Sequence, residues 1–253
     1  MSSLRIAVVA EGETDHVVIE AALRAILQPS EPIVSQLQPE PRGQTEQKPD
    51  HGNGKERGWC GVYRWCRQHR RCDGGDLEES PLLLARKPDV IVLHLDADVA
   101  EKGYADCSDA IAAEAANLGA LPCVDPCPPP CPPVQPIADA VAEVLRSWLS
   151  PTVTGRRTVV CIPSKAIESW IVAALPDGCG IRVPGDIECE PDIANRLKGL
   201  PTEWKIPRKK TPHYRRHASR ITSEWSVICE RCSQARRFHN DLLSAIQWVP
   251  RSQ

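Results

Sequence analysis

Two short apolar runs, each ending in carboxylates, constrain this chain more than any other feature. Ile6-Ala7-Val8-Val9-Ala10 runs straight into Glu11-Gly12-Glu13-Thr14-Asp15. Far downstream, Val90-Ile91-Val92-Leu93-His94-Leu95 ends in Asp96-Ala97-Asp98. Unbroken apolar runs of this length are the pattern of strands buried on both faces, as in a parallel sheet. In an open α/β sheet, ligands lie beyond the carboxyl ends of the strands. Two adjacent strands that each end in acids therefore aim negative charge into one crevice. A divalent cation offsets such crowding, and a cation there points to phosphate chemistry. The competing reading is plainer: each acidic group merely opens the helix that follows it, where the helix dipole favours carboxylates.

The rest of the chain alternates in the way such a sheet requires. Strands are expected over Leu4–Ala10, Pro32–Leu37, Asp89–Leu95 and Thr158–Ile162. Helices are expected over Glu13–Leu27, Trp59–Arg71, Asp106–Leu118, Ile137–Leu149 and Ser164–Leu175. In the first of these, Val17, Val18, Ala21, Ala22, Ala25 and Ile26 recur at helical spacing. The expected fold class is α/β, a Rossmann-like parallel sheet flanked by helices. After Pro176 only helical patterns follow, over Pro191–Leu200, Ser219–Glu230 and Ser233–Trp248. The expected organisation is a domain over 1–175, with insertions near 39–80 and 120–136, and a C-terminal helical extension over 176–253.

Within the crevice, Asp15 follows Glu11 by four residues and so shares its side of the turn. Asp96 and Asp98 flank one residue and point the same way from a strand end. Glu168 and Lys165 lie just beyond the last strand and reach the crevice if that strand is next to the first. Lys165 would then stabilise charge developing on a phosphate. The alternative for both is an ordinary helix surface.

With a formal net charge of −2 over 253 residues, the chain as a whole is no polyanion binder, so any nucleic-acid contact needs a local patch. Two patches qualify. Lys205–Arg220 contains Lys209, Lys210, Arg215 and Arg216 among aromatic Trp204 and Tyr214, and Arg57–Arg71 contains Arg64, Arg67 and Arg70 among Trp59, Tyr63 and Trp65. Both read as phosphate-tracking stripes with stacking rings, or else as solvated basic surfaces and packed aromatics. No stretch nears the roughly 20 apolar residues of a membrane span, and no basic-then-apolar leader opens the chain, so a cytoplasmic location is expected. The 12 cysteines are read mostly as packed thiols. Cys229 and Cys232 alone have a common zinc spacing, and no second pair completes it, so a structural Zn²⁺ is the lesser reading. There is no Walker-type phosphate loop.

The acidic groups resemble the Toprim domain shared by topoisomerases, primases and overcoming-lysogenization-defect nucleases. In that domain a glutamate follows the first strand and Asp-x-Asp a later one. Glu11 and Asp96-Ala97-Asp98 match this pattern, and Asp15 matches a further acid of the nuclease branch. The resemblance implies that Glu11 and Asp15 serve one metal and Asp96 and Asp98 another. A narrower resemblance is to the domain-of-unknown-function 4276 family of Toprim-like bacterial proteins. It extends to Pro163-Ser164-Lys165-Ala166-Ile167-Glu168-Ser169-Trp170, to the basic stretch around Lys209-Lys210-Thr211, and to Cys232-Ser233-Gln234-Ala235-Arg236-Arg237-Phe238. It implies a nuclease dependent on Mg²⁺ or Mn²⁺ that acts on DNA or RNA beside an ABC-type ATPase in anti-phage defence. Two rivals stand beside it: a silent module that docks on an ATPase, and a phosphatase with Asp96 as nucleophile. The Pro- and Cys-rich stretch over 122–136 departs from the Toprim pattern, and the usual third acid falls to either Glu101 or Asp106.

Overall fold

The computed structural model describes residues 3–40, 57–84, 86–117, 133–177, 179, 187–190 and 192–250. Most of the Pro- and Cys-rich stretch, with Cys123, Cys127 and Cys131, lies outside the described residues. The elements in chain order are β1 (Arg5–Val9), α1 (Glu13–Ile26), β2 (Ile33–Gln38), α2 (Gly58–His69), α3 (Pro81–Leu84), β3 (Val90–His94), α4 (Tyr104–Cys107), α5 (Asp109–Asn117), α6 (Gln135–Leu149), β4 (Thr158–Cys161), α7 (Glu168–Ala173), α8 (Ile193–Lys198), α9 (Thr211–Ser223), α10 (Trp225–Arg231) and α11 (Ser233–Ile246).

The strands form a four-stranded, all-parallel sheet in the order β2-β1-β3-β4. This is the α/β, Rossmann-like architecture that the alternation implies. Every residue of β3 is buried, as is all of β1 after Arg5, because helices cover both faces of the sheet. On one face Ala7, Val9, Ile91 and Leu93 meet α2 and α6 through Trp59, Val62, Tyr63, Val141 and Trp148. On the other, Ile6, Val8, Val92 and Val159 meet α1, α7, α9, α10 and α11 through Val18, Trp170, Ile221, Ile228 and Phe238. Full burial of one such side chain contributes roughly 1.5–3 kcal/mol. The C-terminal helices thus close one face of the sheet and share its core.

Two details differ from the sequence reading. The strand Thr158–Cys161 pairs with β3 and not with β1. And Cys60 of α2 is disulfide-bonded to Cys107 of α4, so the packed-thiol reading fails for that pair, while Cys66, Cys72, Cys161, Cys179, Cys229 and Cys232 are free.

Candidate metal centre

The pairing of β1 with β3 builds the crevice. Val9 sits opposite Leu93, so the residues just beyond each strand meet at the carboxyl rim. The Asp96 N–H donates to Glu11 Oε1 at 2.7 Å. Asp98 follows in the turn that starts after Asp96. Glu11, Asp96 and Asp98 each bring a carboxylate oxygen to within 4.8 Å of the others.

Gly12 holds this turn for a reason other than backbone freedom. Its φ of −145° is extended, but a Cβ there would sit 3.2 Å from Asp15 Oδ2. Gly58 is the glycine that needs its φ of +65°: its N–H donates to the Glu11 carbonyl at 2.9 Å, which brings the start of α2 against the crevice.

Asp15 and Glu168 are buried beside the triad and face a lysine. Lys209 Nζ lies 3.6 Å from Asp15 Oδ1 and 3.7 Å from Glu168 Oε1. Tyr214 donates its hydroxyl to Glu168 Oε1 at 2.5 Å. The Ile167 N–H donates to Asp96 Oδ1 at 3.1 Å, so the loop after β4 reaches the site from beside β3. Asp15 Oδ2 is buried without a hydrogen-bond partner, as is Ser164 Oγ in that same loop. His94 is fully buried, with Nε2 3.3 Å from Asp96 Oδ1 in a geometry that makes no hydrogen bond.

The electrostatics are those of crowded like charge. Burial, then Asp96, pushes the Glu11 carboxyl well above its ordinary range, and burial, then Asp15, does the same to Asp96. Burial pushes His94 down, toward the neutral ring. For Lys209 burial opposes the charge, but Asp15, Glu168 and Asp96 outweigh it and hold the ammonium above the usual lysine range. Hard oxygen donors alone, partly desolvated, fit a divalent cation such as Mg²⁺ or Mn²⁺. Among the described residues no cysteine joins them, so this donor set does not fit a thiolate zinc site.

The other sequence candidates scatter. Lys165 lies two residues before Ile167, in the loop that reaches Asp96. Asp106 accepts the Gly103 N–H at the start of α4 and is taken up there. Helix α2 begins at the crevice and runs toward the opposite rim. Arg67, whose guanidinium donates to the Trp148 carbonyl at 2.8 Å and is only 10% exposed, therefore packs inside the fold. Arg70 ends the same helix, some 18 Å of helix rise away from Gly58, and Arg64 lies between. Trp59, Tyr63 and Trp65 are core residues. On the other patch, Lys210 and Arg215 are exposed, Arg215 along the groove between α1 and α9, Arg216 donates to the Lys205 carbonyl, and Arg220 stacks on Trp204. Lys209, read as a phosphate contact, is 56% exposed and sets its ammonium against Asp15 and Glu168. Tyr214, read as a stacking ring, is buried against Glu168.

Against known proteins, no family model, no curated protein and no solved structure matches this chain.

Proposed function

We propose that the protein is a metal-dependent nuclease of the Toprim type, allied to the domain-of-unknown-function 4276 proteins. The convergence of Glu11, Asp96 and Asp98 within 4.8 Å, at the carboxyl rim where two buried strands end, carries the reading. These three residues would hold Mg²⁺ or Mn²⁺, which when bound supplies Lewis-acid stabilisation of a phosphodiester. The chain's own residues do the rest. The Asp96 N–H orients Glu11, and the Ile167 N–H orients buried Asp96. Exposed Lys210, next in sequence to Lys209, and Arg215, farther along α9, track the backbone of DNA or RNA. An ABC-type ATPase partner and a role in phage defence rest on the resemblance alone.

The test is cleavage of plasmid, single-stranded DNA and RNA with Mg²⁺ or Mn²⁺, comparing wild type with Asp96→Asn, each with and without a candidate ATPase. The expected result is metal-dependent cleavage that the variant lacks. Equal activity in both proteins refutes the site. Binding to the ATPase with no cleavage of any substrate favours a silent docking module.

No helix among the described residues is long and apolar enough to cross a membrane. A cytoplasmic location completes the proposal, but the Cys60–Cys107 bond weighs against a strongly reducing compartment. Alkylation of the protein in intact cells before mass analysis decides it: label on Cys60 and Cys107 means the bond is open there.

A further inference from the structure

We propose that this centre takes a single divalent cation, at Glu11, Asp96 and Asp98, and that the Lys209 ammonium fills the position beside it where a second ion would otherwise sit. The inference rests on the metal-centre part of the reading above, not on nuclease activity. It departs from the two-ion arrangement that the sequence resemblance implies.

The carboxylates divide into two groups. Glu11, Asp96 and Asp98 gather their oxygens together. Asp15 and Glu168 instead present one oxygen each to Lys209 Nζ, at nearly equal distances of 3.6 and 3.7 Å. An ammonium between two buried carboxylates is already their counter-cation. The Glu168 oxygen that faces it also accepts the Tyr214 hydroxyl. A second divalent ion placed there would meet a positive charge at contact range.

The lysine is delivered by built structure. It directly precedes Lys210, which caps α9. That helix is held along α1 by Thr211 Oγ1 donating to Glu13 Oε2 at 3.4 Å and by Thr222 Oγ1 donating to the Ala21 carbonyl at 3.0 Å. Arg208, Lys209 and Lys210 are all exposed along their length, and Lys209 is the one whose ammonium lies against Asp15 and Glu168. One further observation marks this half as a place for a cation. Asp15 Oδ2 is fully buried and has no partner, so Asp15 retains acceptor capacity that one ammonium at Oδ1 leaves unused. Removing the lysine leaves Asp15 and Glu168 without a counter-charge and with room for an ion.

The experiment counts Mn²⁺ bound to the full chain, without nucleic acid, by calorimetric titration and by the paramagnetic resonance of free and bound Mn²⁺. Wild type is expected to bind one ion, and Glu11→Gln to lose it. Lys209→Met is expected to bind two, with resonance broadening from a close ion pair and the second ion at least tenfold tighter than any second event in wild type. Asp15→Asn combined with Lys209→Met returns the count to one. Lys209→Arg, which keeps the charge, stays at one and serves as the folding control alongside circular dichroism. Two ions on wild type, or one ion on a folded Lys209→Met protein, overturns the inference. No ion on wild type overturns the metal centre itself. One ion on a protein that cleaves nothing leaves this inference standing and removes only the nuclease reading.

Discussion

Glu11 and Glu188 contrast a carboxylate that the fold leaves with few partners and one that holds the fold together. Glu188 sits in a short turn over Ile187–Cys189 and is 7% exposed. Its Oε2 accepts the Ser233 N–H and hydroxyl, both at 2.7 Å, and its Oε1 accepts the Gln234 N–H at 2.8 Å. It thereby satisfies the first orphan donors of α11 and suits that helix's positive end. Glu11 receives a single backbone N–H, from Asp96, and otherwise lies near Asp96, His94 and Asp15. One glutamate has its charge answered by the chain. The other waits for an answer from outside. Burial alone therefore does not single out a candidate site; a carboxylate with few partners inside the fold does.

The largest expected effect breaks the acting carboxylate. Glu11→Gln or Asp96→Asn should lower metal-dependent cleavage by roughly 10²–10³-fold, the size of losing a preorganised electrostatic contact. In metal-free buffer the same Glu11→Gln protein should be no less stable, and its melting temperature should rise by about 2–4 °C for a relief of about 1 kcal/mol. A lower melting temperature would put Glu11 in the same class as Glu188. The reverse holds for Glu188→Ala, which leaves buried donors unmet. It should cost roughly 2–3 kcal/mol in urea unfolding while cleavage per folded molecule stays the same.

A pH series sharpens the contrast. Glu11 and Asp96 bind protons more tightly folded than unfolded. Stability from that source is fully present below the ordinary carboxylate range and is lost as pH rises from there through their raised folded values. Metal-free wild type should therefore lose stability across that window, and Glu11→Gln should lose less. The smallest effect tests the basic patches: Arg215→Ala should reduce the salt slope of nucleic-acid binding by about 0.7–0.9. Arg67→Ala should leave that slope unchanged and lower stability instead, because its guanidinium is bonded inside the fold.

Glu11, Asp96 and Asp98 were legible because each lies next to an apolar run that can only be a buried strand. Parallel pairing then forces their ends together. Glu168 was legible as a candidate, though by the wrong neighbour: its loop reaches Asp96 because β4 lies beside β3. Lys209 and Tyr214 were misread because nothing local tells which surface a basic segment folds onto. A signal was present nonetheless. Tyr214, His217 and Ile221 recur at helical spacing and are all buried along α9. The arginines between them hid that stripe, so a docked helix read as an exposed basic run. In α2 the packed alternative holds: Trp59, Tyr63 and Trp65 are buried in the core.

The Cys60–Cys107 bond joins residues 47 apart in sequence, and β3 with Asp96 and Asp98 lies wholly inside the ring it closes. On the loop-entropy model such a ring denies the denatured chain about 4 kcal/mol of conformational freedom. Even a melted molecule thus keeps the segment that carries Asp96 and Asp98 on a short leash to the helix that borders Glu11.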